Sequence, residues 1–249
     1  MTDTTQALSF GAAAGEYDRF RPGYPAPAVA WAVGTDGPAR VVDLGAGTGI
    51  LSRVLLGLGH TVTPVEPDPG MRAQLAAATP GTTALSGSAE AVPLPDGWAD
   101  AVVAGQAYHW FDRERAHPEI ARLLRPGGMF APIWNIRDDS VDWVAALSRI
   151  VGGPGYRAED SLGQVGDSFG DRFGPVERAE FRHHVTLGPE QLLGMLRTRS
   201  YHLTADATRQ RELDRAVREL TTDHPDLAGR DSFALPYRTI VVRAARRAD

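Results

Sequence analysis

The feature that most restricts what this chain can fold into is the run Val41-Val42-Asp43-Leu44-Gly45-Ala46-Gly47-Thr48-Gly49-Ile50-Leu51. An apolar, β-branched stretch passes through three alternating glycines into a stripe of residues at helical spacing (Leu51, Val54, Leu55, Leu58). Glycines at those positions let the backbone turn tightly and lie against a ligand. Strand, tight turn and helix together are the opening unit of an open parallel α/β sheet, whose ligands bind at the carboxyl ends of the strands. A dinucleotide fingerprint would place its third glycine where Ile50 stands, so the spacing points to another nucleoside cofactor. Asp43, just before the glycines, leaves poor room for a pyrophosphate and suits a cationic ligand.

The same rhythm continues along the chain. Short apolar segments at 39–44, 61–65, 82–85, 99–104 and 129–134 read as strands buried on both faces. Helices fill the gaps: one from Thr48, one opened by Pro69 and running through Met71 and Leu75, and one over 117–124 that Pro126-Gly127-Gly128 terminates. Beyond 136 the pattern changes. A helix at 141–151 meets the break Gly152-Gly153-Pro154-Gly155; a strand at 176–187, helices at 189–199 and 205–223, and a strand at 232–244 follow. The arginines from Arg243 to Arg247 read as a solvated tail. This divides the chain into an N-terminal helical segment (1–36), a Rossmann-like core (37–136), a variable cap that completes the sheet (137–231) and a final strand with its tail (232–249).

Composition removes several chemistries. The 249 residues are enough for one large core and contain no cysteine, so disulfides, thiolate nucleophiles and cysteine-bound zinc are excluded. All 26 basic residues are arginine, which excludes Schiff-base lysine chemistry and a P-loop lysine. A net charge of −5 argues against a broad phosphate-binding face, so no nucleic-acid partner is expected. Neither a membrane span nor a signal peptide is visible, and the expected location is the cytoplasm. The adjacent pair His183-His184 would point to opposite faces of a strand, and no metal site is expected.

Four blocks carry a family likeness: the turn from Asp43 to Gly49, Val65-Glu66-Pro67-Asp68 after the second strand, Gly87-Ser88-Ala89-Glu90 after the third, and Leu124-Arg125-Pro126-Gly127-Gly128 before the fifth. Through them the chain resembles the class I S-adenosylmethionine-dependent methyltransferases, in the small-molecule branch that includes trans-aconitate and ubiquinone-biosynthesis methyltransferase-like proteins with a type 11 methyltransferase domain. The resemblance implies an α/β fold with a Rossmann-like sheet of seven strands, helices on both faces, an N-terminal helical lid and a variable substrate region. It also implies S-adenosylmethionine as cofactor and S-adenosylhomocysteine as product. Carried over, Asp43, Gly45, Ala46, Gly47 and Gly49 line the methionine and ribose portions. Glu66 binds the ribose, Pro67 and Met71 pack near the adenine, Ser88, Ala89 and Glu90 meet its edge, and Gln106 and Ala107 border the methionine.

The acceptor side is less determined. Tyr17, Arg21 and Tyr24, in an aromatic and arginine-rich N-terminal stretch, are candidates either to close over the site or to pack the lid helix. In Tyr108-His109-Trp110-Phe111, His109 is either a general base or part of a structural corner, and Trp110 stands beside it. Trp134, Asn135 and Arg137 are expected at the end of the fifth strand facing the crevice, Arg137 either clamping a carboxylate or pairing with Asp138 or Asp139. Trp143, Tyr156, Tyr201 and His202 are possible wall residues. The expected partner is a small-molecule acceptor, the protein being a monomer or homodimer. Two rivals stay open: a nucleotide-dependent oxidoreductase on the same fold, and a cofactor-pocket protein that transfers no methyl group.

Overall fold

Apolar residues alternate between the two faces of each central strand, and this alternation builds two cores at once. The computed structural model describes residues 18, 21–153, 156, 159 and 167–248. Within them, β1 (Arg40–Leu44) directs Val42 and Leu44 to one face and Val41 to the other. The next strands in the chain are β2 (Thr61–Val65), β3 (Ala99–Gly105) and β4 (Leu124–Arg137). In β3, Val102 and Ala104 share the first face, while Ala101 and Val103 share the second. Each such fully buried valine contributes roughly 1.5–3 kcal/mol through lost apolar hydration.

Helix α1 (Ala26–Val33) covers the second face with Ala28, Val29, Ala32 and Val33, joined by Leu51 and Leu55 of α2 (Ile50–Gly57). Gly34, in the left-handed conformation at φ 69°, ends α1 and donates its N–H to Ala30 O at 3.0 Å. α3 (Pro69–Ala78) begins with proline in its first turn, and Asp68 caps it by accepting from the Met71 N–H at 2.9 Å. α4 (Arg113–Leu123) covers the first face, setting Ala116, Ile120 and Leu123 one turn apart against the sheet.

After β4 come α5 (Asp142–Gly152), β5 (Glu177–Leu187), α6 (Pro189–Arg197), the short α7 (Ser200–Leu203), α8 (Ala207–Asp223) and β6 (Phe233–Ala245). The sheet order is β2-β1-β3-β4-β6-β5. β1 to β4 pair in parallel, and the long antiparallel pair of β5 and β6 joins β4 through β6. Helices α5, α6 and α8 rest on a third cluster that includes Trp143, Leu147, Leu192, Leu196, Val217 and Tyr237. No helix among the described residues is long and apolar enough to cross a membrane.

The mixed α/β architecture with helices on both faces is present, but the described sheet has six strands where seven were expected. The segment at 82–85 contributes one bridge, Val65 with Leu85. Its hydrogen bonds show why. Leu85 N–H donates to Pro64 O at 2.9 Å and Glu66 N–H donates to Leu85 O at 3.0 Å. Pro64 has no N–H to continue the ladder back along the segment, so the pairing ends there.

Candidate cofactor and acceptor site

The turn after β1 is held by its own backbone. Gly45 and Ala46 donate their N–H groups to Val65 O at 2.9 and 3.2 Å, fastening the turn to the end of β2, and Gly49 N–H closes onto Ala46 O at 2.9 Å. Gly45 has φ +65°, and a Cβ there would lie 2.6 Å from the Ala107 Cβ. The left-handed conformation alone costs a substituted residue roughly 1–2 kcal/mol. Gly45→Ala is therefore expected to lower the melting temperature by at least several degrees, since about 1 kcal/mol moves a protein of this size by roughly 2–4 °C. Thermal unfolding checks this, and an unchanged transition would show that the turn is not confined.

Two carboxylates converge on the turn. Glu66 accepts from the Gly47 N–H through Oε2 and from the Asp68 N–H through Oε1, both at 2.9 Å. Burial raises its pKa, against the lowering effect of those two bonds. Asp43 accepts from Ser52 Oγ at 2.6 Å through Oδ2, while its Oδ1 is buried with no hydrogen-bond partner among the described residues. Burial pushes its carboxyl up to about 7, opposed by the Ser52 bond and reinforced by the charge of Glu66. A buried acceptor without a donor is costly, and at the edge of a cleft it fits a ligand that supplies one.

That cleft is bordered by Arg21, Tyr24, Asp43, Gly45, Ala46, Gly47, Gln106 and Asn135 among the residues expected from sequence, and also by Thr48 and Arg199, which were not. Gln106 has φ 56° and is the one non-glycine among the described residues in the left-handed region, a strained backbone of the kind that clusters at ligand sites. It is held by its N–H to Ile133 O and its side-chain Nε2 to Asn135 O, both at 2.8 Å. Asn135 donates through Nδ2 to Gly23 O at 2.9 Å and accepts from Thr239 Oγ1 at 2.6 Å, which fixes its amide orientation. Asp18 accepts from both Thr48 Oγ1 at 2.8 Å and Arg53 Nη2 at 2.7 Å, which joins this one acid to the glycine turn and α2. Nothing in the sequence around Asp18 distinguishes it from a surface acid.

Other expected residues lie elsewhere. Trp134, expected to face the crevice with Asn135, points to the opposite face because neighbours on a strand alternate; it is buried in an aromatic cluster 6.0 Å from Tyr108. Ala107 backs Gly45 from outside the cleft lining. Gly49, Glu66, Pro67, Met71, Ser88, Ala89 and Glu90 also lie outside that lining, Glu66 reaching the glycine turn from behind through the Gly47 N–H. Met71 and Ala89 are buried, Ser88 bridges to Ala91, and Glu90 Oε1 accepts from the Asp112 N–H at 2.9 Å, holding the start of α4. His109 and Trp110 form a surface corner with ring centroids 4.7 Å apart. Although His109 has an exposed side, the protein packed around it removes enough hydration to lower its pKa to about 4, leaving it neutral and weakly basic at pH 7. Arg137 is buried and pairs with neither Asp138 nor Asp139; its Nε donates to Ser148 Oγ at 3.4 Å. Trp143 packs on Phe233, and His202 contacts Asp214 at 3.1 Å, which are structural roles. Tyr17 lies outside the described residues.

An open α/β sheet whose first turn carries alternating glycines, a buried acid and a second acid reaching from the next strand defines a nucleoside-cofactor enzyme. The model of the methyltransferase domain family matches residues 42–131. An uncharacterized methyltransferase of Mycobacterium tuberculosis H37Rv is 44% identical over 242 residues, 96% of each chain. A methyltransferase-like protein of Schizosaccharomyces pombe is 28% identical over 249 residues, again 96% of each. A solved structure from Anaeromyxobacter dehalogenans superposes with a TM-score of 0.65 at 24% identity, covering 92% of this chain and 98% of that one, and supports the fold. The chain belongs to the class I S-adenosylmethionine-dependent methyltransferases.

Proposed function

We propose that the cleft binds S-adenosylmethionine and that the enzyme transfers its methyl group to a small-molecule acceptor in the cytoplasm. The observation that carries this reading is the pairing of Asp43, with its unpartnered buried oxygen, and Glu66 across the glycine turn. Glu66 retains lone pairs on both oxygens beyond its two backbone bonds, so it can accept the ribose hydroxyls. Asp43 can accept a donor from the amino-acid end, and Gly47, where a Cβ would meet no atom within 4 Å, leaves the turn open for close approach. When bound, the cofactor supplies an electrophilic methyl group on a sulfonium.

The chain's own residues then have one principal task, which is to place the acceptor in line with that methyl. Orientation is worth up to roughly 7–11 kcal/mol, so a strong base is not required. This agrees with a cleft whose lining lacks histidine. Arg21 and Tyr24 border it and can cover the reacting groups. The acidic net charge of −5 supports a small acceptor over a polyanionic one.

Calorimetric titration with S-adenosylhomocysteine, with NADH as control ligand, tests the cofactor assignment. Micromolar binding of S-adenosylhomocysteine without binding of NADH is expected; preference for NADH would overturn the assignment.

A further inference from the structure

Two guanidinium groups beside the cleft, those of Arg137 and Arg199, make no ion pair among the described residues; Arg199 borders the cleft and Arg137 lies outside its lining. Asn135 borders the cleft, and Arg137, two residues further along β4, projects to the same side of the sheet. Arg137 is only 8% exposed and makes no ion pair among the described residues. The neighbouring acids are engaged elsewhere: Asp138 with Ser140 and Arg182, Asp139 with Ser148. Arg199, in the turn between α6 and α7, borders the cleft with its Nε buried and without a hydrogen-bond partner among the described residues.

Arg21 also borders the cleft and donates through Nη2 to Thr198 O at 3.3 Å, one residue from Arg199. Close to all three arginines is Tyr201, on α7. Its phenol oxygen is buried, meets no protein atom at full hydrogen-bond geometry, and feels the positive charges of Arg137, Arg199 and Arg21. Leaving a buried charge unpaired is costly, and the two guanidinium groups of Arg137 and Arg199, beside a cleft that also takes a cationic cofactor, would repel it unless an anion lay between.

We propose that Arg137 and Arg199, with Arg21 and Tyr201, form an oxyanion subsite that grips a carboxylate or phosphate group of the methyl acceptor. The planar forks of arginine match either group in two-point contacts, and the Tyr201 hydroxyl adds a donor. The subsite binds the acceptor's anionic handle, and the methylated atom is a separate position on the same molecule. As a statement about the acceptor this rests on the methyl-transfer reading, whereas anion binding itself does not.

The test is titration of the full chain in buffer free of competing anions with succinate, inorganic phosphate and neutral succinamide, each with and without S-adenosylhomocysteine. At least one of the two anions should bind at least tenfold more tightly than succinamide, and which one does so names the group. Arg137→Gln and Arg199→Gln should each weaken that binding by tenfold or more. Arg137→Lys, which keeps the charge and loses the fork, should fall between wild type and Arg137→Gln. Arg215→Gln, on the exposed face of α8, serves as the remote control and should bind like wild type. Succinamide binding as tightly as both anions, or equal losses in Arg215→Gln and the subsite variants, would overturn the proposal. The wild-type comparison of acid with amide decides the matter even if Arg137→Gln fails to fold. A missing response to S-adenosylhomocysteine alone would count against the methyltransferase site, not against the anion subsite.

Discussion

Glu66→Gln is expected to weaken binding of S-adenosylhomocysteine by roughly 100-fold. In the native turn each carboxylate oxygen accepts one backbone N–H, from Gly47 and Asp68. Glutamine offers one oxygen, and its NH2 must face one of those donors, so the variant loses a bond and gains a clash of like dipoles. A hydrogen bond to a charged group contributes about 1.5–3 kcal/mol, and the ribose would lose its charged acceptor at the same time. Roughly 3 kcal/mol corresponds to two decades in affinity. Calorimetry measures this directly, with circular dichroism as the control for folding. An affinity within threefold of wild type would remove Glu66 from the cofactor site.

The second large effect has opposite signs for stability and binding. The Asp43 carboxyl is raised to about 7 by burial, from 3.8 in an exposed chain. A group whose folded pKa lies above its unfolded value contributes stability that is complete below the unfolded pKa and is lost as pH rises through the folded one. The ligand-free protein should therefore lose stability between about pH 4 and pH 7, by on the order of 4 kcal/mol from this residue. Asp43→Asn removes the titration. At pH 8 the ligand-free variant should melt several degrees above wild type, and at pH 5 the difference should shrink. The same change deprives the ligand of a charged acceptor, so stabilisation by S-adenosylhomocysteine should fall sharply. Thermal scans at both pH values, with and without ligand, report both effects. A variant less stable than wild type at pH 8 would contradict the electrostatic account.

How much of this was legible before the structure depends on whether the signal is local. β2 was readable to the residue at 61–65, because a short β-branched run between glycine and acidic turn signals has few alternatives. β4, expected at 129–134, extends from Leu124 to Arg137. Pairing with both β3 and β6 draws in the flanking residues, which no local pattern announces. The missing strand at 82–85 looks β-like in composition, and its loss is decided by Pro64 on the neighbouring strand. The same contrast holds at the site. Asp43 and Glu66 sit in the local signature of strand ends and were legible. Arg199 reaches the cleft, and Asp18 the glycine turn, through contacts distant in sequence, and nothing beside them in the chain marks those destinations. Trp134 shows the reverse error, since alternation puts one of any two adjacent strand residues on the wrong face.

The helices beyond β4 stand on an apolar cluster of their own, sharing no buried residue with the two clusters that support the glycine turn. Such a division makes the fold tolerant of renovation. Residues such as Leu192, Leu196 and Val217 can be repacked to reshape the wall that carries Arg199 and Tyr201 while the cofactor turn keeps its foundations. A laboratory seeking new acceptors would mutate those helices first, and would expect selectivity to change well before affinity for the methyl donor does.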